Sequence, residues 1–355
     1  MTAFRGGLHI AVAIAACVLS GCSAMEFYWQ GFAGQVDIMA RAKPIAEVIE
    51  TTPDPALKSR LARAQAIRAF ASRELALPDN RSYTTYADLD RPYVVWNVFA
   101  APELSLTPRQ WCFPVAGCVA YRGYFSEEDA RVEATRLAAA GDDVHMSGVP
   151  AYSTLGYFDD PVLSTFARYR EVELARLIFH ELAHQVVYVK DDTSFNESFA
   201  TAIEEEGVRR WLAAEAGRRD PADAAELAAD MARGQRNRVD FRAMIASARD
   251  QLTALYAGPG SESEKRAGKA AVFAGIRAEN ARRKSAGDGT TAFDRWYAAG
   301  ANNAGIVAAG LYADRVPQFR ALLDEEKGDL PRFYERVKAL AALPKAEREV
   351  GLTRL

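Results

Sequence analysis

The chain has 355 residues, 49% hydrophobic and 26% charged, which suits a soluble globular protein of one large or two modest domains. Its net charge of −3 leaves no basic footprint, so nucleic-acid binding is not indicated. No internal repeat is visible, and past the N-terminus nothing is long and apolar enough to span a bilayer.

The N-terminus reads as an address rather than as part of the fold. Arg5 makes a short positive region, and Leu8 to Leu19 is apolar but too short for an ordinary spanning helix. It ends Leu19-Ser20-Gly21-Cys22, which resembles the bacterial lipobox. Cleavage before Cys22 would make residues 1–21 a lipoprotein signal peptide and put the lipid on Cys22. Each buried CH₂ of such an anchor contributes about 0.8 kcal/mol. Ser23 follows, where an aspartate would mark retention at the inner membrane. The expected place is the outer membrane, with the domain facing the periplasm.

Residues 22–80 read as an N-terminal helical segment. Tyr28 to Gln30 and Gly34 to Met39 lead into a helix that ends near Pro44 or Ile45. A second runs from Pro55 to Leu77, with Leu57, Leu61, Ile67 and Phe70 near helical spacing, and stops before Pro78-Asp79-Asn80. From residue 81 aromatic and β-branched residues increase, and Tyr93 to Ala100 and Val119 to Phe125 read as strands. Cys112 and Cys118 lie between them, flanking Pro114 and Gly117 in a tight loop. The other two of the four cysteines belong to the signal segment and the lipid site. The remaining pair predicts a disulfide in an oxidising compartment, with two buried free thiols as the alternative. Ser126 with Asp129 caps a helix to Ala140, and Gly141 stops it. Val144 to Ser153 reads as a third strand, and Val162 to Phe166 as a short helix.

The next helix, from about Glu171 to Val189, holds His180-Glu181-Leu182-Ala183-His184. Residues four apart share a helix face, so the two histidines form a two-nitrogen clamp suited to zinc. Glu181 lies beside that face as a general base for a water that the metal activates. The chain has four histidines, and one of them, His9, leaves with the signal. The flanks Leu177-Ile178-Phe179 and Val186-Val187-Tyr188-Val189 are apolar, which buries the helix and argues against a chance pentad on a solvated face.

Zinc needs a third protein ligand and an open position. No histidine remains downstream. The candidate is Glu197, past a turn over Lys190 to Thr193, on a second helix that starts near Ser194 and packs antiparallel on the first. Two alternatives stand beside it. Ser194-x-x-Glu197 is also a capping box, in which the glutamate caps its own helix. Glu204 shares a face with Glu197 at i+7, although the shorter return favours Glu197. One zinc ion is the implied cofactor.

Residues 217–292 are charged and alanine-rich, with Gly258-Pro259-Gly260 within, and read as two or three long exposed helices. A final helix lies near Leu330 to Leu340. The fold class is α+β and mainly helical, with a small sheet beside the pentad helix. Its parts are the signal (1–21), the N-terminal helical segment (22–80), a core (81–215) and a helical C-terminal region (216–355).

Asn196-Glu197 on the second helix resembles the glutamate-ligand zinc peptidases, the gluzincins. Their next helical turn carries a carboxylate on a ligand histidine. Here that position is Thr201, so the outer sphere must differ. Leu75 to Asp90, Tyr93 to Phe125, Gly148 to Thr165, Ile178 to Trp211 and Asn302 to Leu323 together resemble a family of bacterial lipoproteins described as predicted zinc aminopeptidases. That resemblance implies a zincin-like core, zinc on His180, His184 and Glu197, Glu181 as base, and a peptide substrate. In zincin folds an edge strand runs along the cleft; Pro150 to Gly156 is the candidate, or an ordinary loop. The oxyanion donor would be Tyr121, Tyr152, Tyr312 or His145, with a tyrosine favoured. The substrate amine would pair with Glu204, Glu205, Asp159 or Asp160. The GAMEN motif of better known aminopeptidases is absent, which keeps a zinc endopeptidase of the envelope open. A non-catalytic zinc-binding lipoprotein is the other alternative, and the intact Glu181 argues against it.

Overall fold

The computed structural model describes residues 27–113, 117–285, 296, 301–310 and 315–353. Three helices open the described chain: α1 (27–41), α2 (Ile45–Thr51) and α3 (Pro55–Leu75). Asp54 starts α3 by accepting the Ala56 N–H, Pro55 fills its first turn, and Ala76 ends it in the left-handed region. Its inner face, including Leu61, Ile67, Phe70 and Leu75, is buried.

The β structure is small and divided. β1 (Lys43–Pro44), β2 (Thr85–Ala87) and β8 (Val162–Leu163) form one sheet, with β2 and β8 parallel. The antiparallel sheet has the order β6 (Tyr121–Tyr124), β3 (Val95–Pro102), β7 (Asp142–Val149). β4 (Trp111–Phe113) and β5 (Gly117–Val119) make a separate ribbon, across which Cys112 and Cys118 form a disulfide. β3 is central and covered on both faces, so it is apolar throughout except for the buried Asn97. Trp96, Val98 and Ala100 meet α4 (Glu127–Ala139), while Phe99 faces Ala304 and Ala308 of α10 (Asn303–Gly310). Ser126 caps α4 through Asp129 N–H.

The expected strand over Val119 to Phe125 is divided between β5 and β6, which belong to different ladders. The expected third strand stops at Val149. Pro150 to Gly156 is a loop, with Leu155 and Gly156 both at positive φ, a conformation that cannot continue a strand. The sheet edge on that side is β7 itself. Val162 and Leu163 pair as β8 before the short helix α5 (Ser164–Ala167).

The centre of the fold is the pair α6 (Glu171–His184) and α7 (Thr193–Ala216). Contacts from Glu171 to Trp211, Arg176 to Glu204 and His184 to Glu197 make the pair antiparallel. Ile178, Phe179 and Leu182 pack with Phe195, Phe199 and Ile203 in the main core. Gly207 allows the close approach: a Cβ there would lie 2.6 Å from the Phe179 ring and 2.8 Å from Leu75. This core extends from Ile38 to Leu352 in sequence, so helices at both ends of the described chain join it.

α8 (Pro221–Ala257) and α9 (Glu262–Ser285) form a long hairpin turned at Gly258 to Gly260, with Ile245, Leu252 and Ile276 buried beside Trp296 and Ile306. α11 (Val316–Glu325), α12 (Leu330–Ala341) and α13 (Lys345–Thr353) close the chain. Among the described residues the protein is mainly helical with small sheets, and no helix is long and apolar enough to cross a membrane.

Candidate metal centre

The last turn of α6 carries His180 and His184. Their rings stand nearly perpendicular with centroids 4.8 Å apart, and their Nε2 atoms are 3.1 Å apart. The helix ends at His184 rather than at Val189. Val189 is held differently: Asn196 of α7 accepts its N–H at 2.7 Å and donates to its carbonyl at 2.8 Å. This two-point clamp turns 185–189 into a loop. Its apolar residues imitate a helix in the sequence because Val187 is buried anyway.

The loop returns the chain so that Glu197 faces both histidines. Its Oε2 lies 3.3 Å from His180 Nε2 and its Oε1 3.7 Å from His184 Nε2. The ligand atoms of His180, His184 and Glu197 lie within 4.8 Å of one another. Glu197 is free of capping duty, because Asp192 is the N-cap of α7 and accepts the Phe195 N–H. Asp192 also takes two bonds, at 2.8 and 3.0 Å, from Arg348 of α13, both side chains almost fully buried. The C-terminal helix thereby pins the start of α7.

Glu204, two turns along α7, has a different place. Its Oε2 meets His180 Nδ1 at 2.9 Å, and its other oxygen binds the buried Arg176. It therefore makes the carboxylate–histidine contact that Thr201 cannot make. A helical repeat of 3.6 brings i+7 back to the same face as i+4 does. A proton on Nδ1 donated to Glu204 would leave the Nε2 lone pair of a neutral His180 for a metal ion.

The donor set fits a cation: the two imidazole Nε2 atoms and a buried carboxylate converge, and the His180 ring 3.3 Å away is the nearest partner of Glu197 Oε2 among the described residues. Burial pushes His184 down to about 4. Burial also works to lower His180, but the adjoining Glu197 carboxylate outweighs it and leaves His180 above its ordinary value. Burial works to raise Glu197, and the two histidines bring it below the ordinary carboxylate range. Glu181 is pushed up to about 7, first by burial and then by the charges of Glu197 and Asp160, with His180 opposing.

Around this centre stand several tyrosines. Tyr121 on β6, against Phe99, is raised by burial and lies in the field of Glu197 and Glu181. Tyr152 follows β7, edge-on to Phe125, and is raised by burial and by Asp160. Tyr312 lies outside the described residues, as does Cys22. His145 is fully buried in β7 against the Phe99 ring. Tyr83 carried no signal in the sequence. It has a positive φ of 63°, its ring is buried, and its hydroxyl has no hydrogen-bond partner among the described residues. Burial raises it, and Glu181 is the foremost charge acting on it.

The carboxylates proposed for a substrate amine separate clearly. Glu204 is held by Arg176 and His180, and Glu205 by Arg242 and Arg320. Asp159 sits on the surface 3.4 Å from Arg81. Asp160 forms no ion pair among the described residues. It accepts Thr154 N–H at 3.0 Å and the Thr154 hydroxyl at 2.8 Å, and burial pushes it up to about 6. Its charge acts on Glu181, Tyr83 and Tyr152.

This mainly helical α+β protein presents two histidines and a glutamate from its central helix pair to one point, a donor set suited to a metal ion. The chain belongs to the family described as "Putative aminopeptidase", whose model matches residues 26–352. No curated protein and no solved structure matches it.

Proposed function

We propose that the protein is a zinc-dependent aminopeptidase with a zincin-like core, anchored to the outer membrane by a lipid on Cys22 and facing the periplasm. The convergence of His180, His184 and Glu197 within 4.8 Å carries the reading. Family membership supports peptide hydrolysis. Zinc held by these three residues would be a Lewis acid, bringing the pKa of a water to about 7 and polarising the scissile carbonyl.

The side chains around it divide the remaining work. Glu204 keeps the His180 proton on Nδ1 and so fixes the ring. Glu181, next to His180 on α6, takes a proton from the attacking water and returns it to the leaving amine. Tyr121 and Tyr152 keep their phenolic protons and offer O–H donors to the carbonyl oxygen. Asp160, which forms no ion pair among the described residues, adds a negative field that favours a substrate whose reacting end is an ammonium group.

The reading is tested with matched peptides bearing free and acetylated N-termini. Wild type should cleave only the free-amine series. Asp160→Asn should raise KM for that series and, because the Asp160 charge also raises Glu181, move the acid limb of the kcat–pH profile to lower pH. Cleavage that ignores acetylation would move the assignment to a zinc endopeptidase of the envelope.

A further inference from the structure

α1 is amphipathic in the wrong sense for a soluble domain. Its inward face is apolar at the two ends, where Phe27 packs against Phe113 and Tyr124 and Ile38 is buried, and polar or small between them. Gln30 accepts the Phe125 N–H at 2.9 Å, Gly34 packs against the Phe125 ring, and Gln35 is buried with its side-chain amide unpaired among the described residues. Ile38 is the one large apolar residue of 30–38 that is fully buried there. The outward face carries Trp29, Phe32, Val36 and Met39, spaced by three and four residues and therefore on one stripe. Trp29 is 68% exposed and Phe32 61%, and their rings are tilted against each other with centroids 5.8 Å apart. Tyr28 is exposed beside them. Charge is confined to the far end, where Asp37 and Arg41 neutralise each other at 2.8 Å. A surface helix ordinarily turns its apolar stripe to the core, and an exposed apolar patch of this kind marks a contact.

The sequence supplies the occupant. Cys22, the expected lipid-bearing residue, precedes Phe27 by a stretch that spans at most about 18 Å at ~3.5 Å per residue. The start of α1 therefore cannot leave the neighbourhood of the bilayer that holds the acyl chains. Tryptophan and tyrosine prefer the headgroup level, and an interfacial helix buries its apolar face ~5–10 Å into the boundary with the acyl region.

We infer that α1 lies flat on the membrane, with Trp29, Phe32, Val36 and Met39 in the acyl–headgroup boundary, as a second attachment that fixes the orientation of the domain. Because the stripe carries no cation, the contact is apolar and insensitive to salt. This inference rests on lipidation of Cys22 and not on the peptidase reading, so the two can fail separately.

The test uses the full lipidated chain reconstituted in phosphatidylethanolamine–phosphatidylglycerol vesicles with brominated acyl chains. Trp29 is one of five tryptophans. Wild type should show bromine quenching that Trp29→Phe abolishes, at low and at high salt alike, while the other four tryptophans keep their emission. The lipid holds both proteins on the vesicle, so the difference reads insertion of α1 alone. Absent quenching, or equal quenching in both proteins, overturns the inference. So does an N-terminal peptide whose mass shows Cys22 without acyl chains. A dimer that Trp29→Ser converts to a monomer, without quenching, would assign the stripe to a second copy of the chain instead.

Discussion

Removing the Glu204 carboxylate should have two separable consequences. The side chains of Arg176 and Glu204 are 9% and 10% exposed. Burial brings Arg176 down only to about 10, so it stays charged at neutral pH. Glu204→Ala leaves that guanidinium buried without its main partner, which costs ~3–5 kcal/mol of stability. It also releases His180 Nδ1, and loss of such an outer contact typically weakens metal binding ~10–100-fold. The double variant Arg176→Met with Glu204→Leu removes both charges. Its stability should return to within about 1 kcal/mol of wild type, because buried pairs replaced by apolar groups are often neutral. Its zinc affinity should stay low, because His180 still lacks an acceptor. Urea denaturation of the metal-free proteins reads the first effect, and competition with a chromogenic chelator reads the second. A double variant that binds zinc as tightly as wild type would refute a positioning role for Glu204.

Three further outcomes follow from the same structure. The pKa of Asp160 is raised in the folded state, from an ordinary ~3.9 to about 6, so its contribution is full below pH ~4 and is lost as pH rises through 6. The thermal midpoint of metal-free protein should therefore fall over that window, and the fall should be shallower in Asp160→Asn; parallel curves would contradict the burial cost. Gly207→Ala forces a Cβ against Phe179 and Leu75 and should cost ~1–3 kcal/mol in denaturation experiments, whereas an unchanged midpoint would mean that the α6–α7 contact yields easily. Arg348→Met strands the Asp192 carboxylate, which should cost ~3–5 kcal/mol and speed zinc release through the loosened loop; chelator-triggered release at the wild-type rate would disconnect α13 from the centre.

The parts legible in the sequence were those written in local periodicity. The i, i+4 histidines, the apolar face of α3, the Ser126 cap and the long charged helices each depend on neighbours within a turn or two. The spacing from His184 to Glu197 was readable because one short loop sets it, and the structure brings these residues to one point. Long-range partners were not legible. Val186 to Val189 has the composition of a helix, and the Asn196 clamp makes it a loop. Ser194 and Glu197 have the spacing of a capping box, yet Asp192 takes the cap, aided by an arginine 156 residues away. Pro150 to Gly156 gave no sign of its two positive-φ residues. Glu204 was weighed as a ligand, and its role beside one appears only when α6 and α7 are packed. Tyr83 reaches the site through a strained loop position that no local pattern encodes.

The central claim is that His180, His184 and Glu197 hold one zinc ion while Glu181 moves the proton. Its most direct test is zinc content together with peptide hydrolysis, measured side by side on wild type, Glu181→Gln and Glu197→Gln. The account predicts one zinc per chain in wild type and in Glu181→Gln, hydrolysis in wild type alone, and weakened zinc binding in Glu197→Gln. Full hydrolysis by Glu181→Gln, or wild type that binds no zinc, would contradict it.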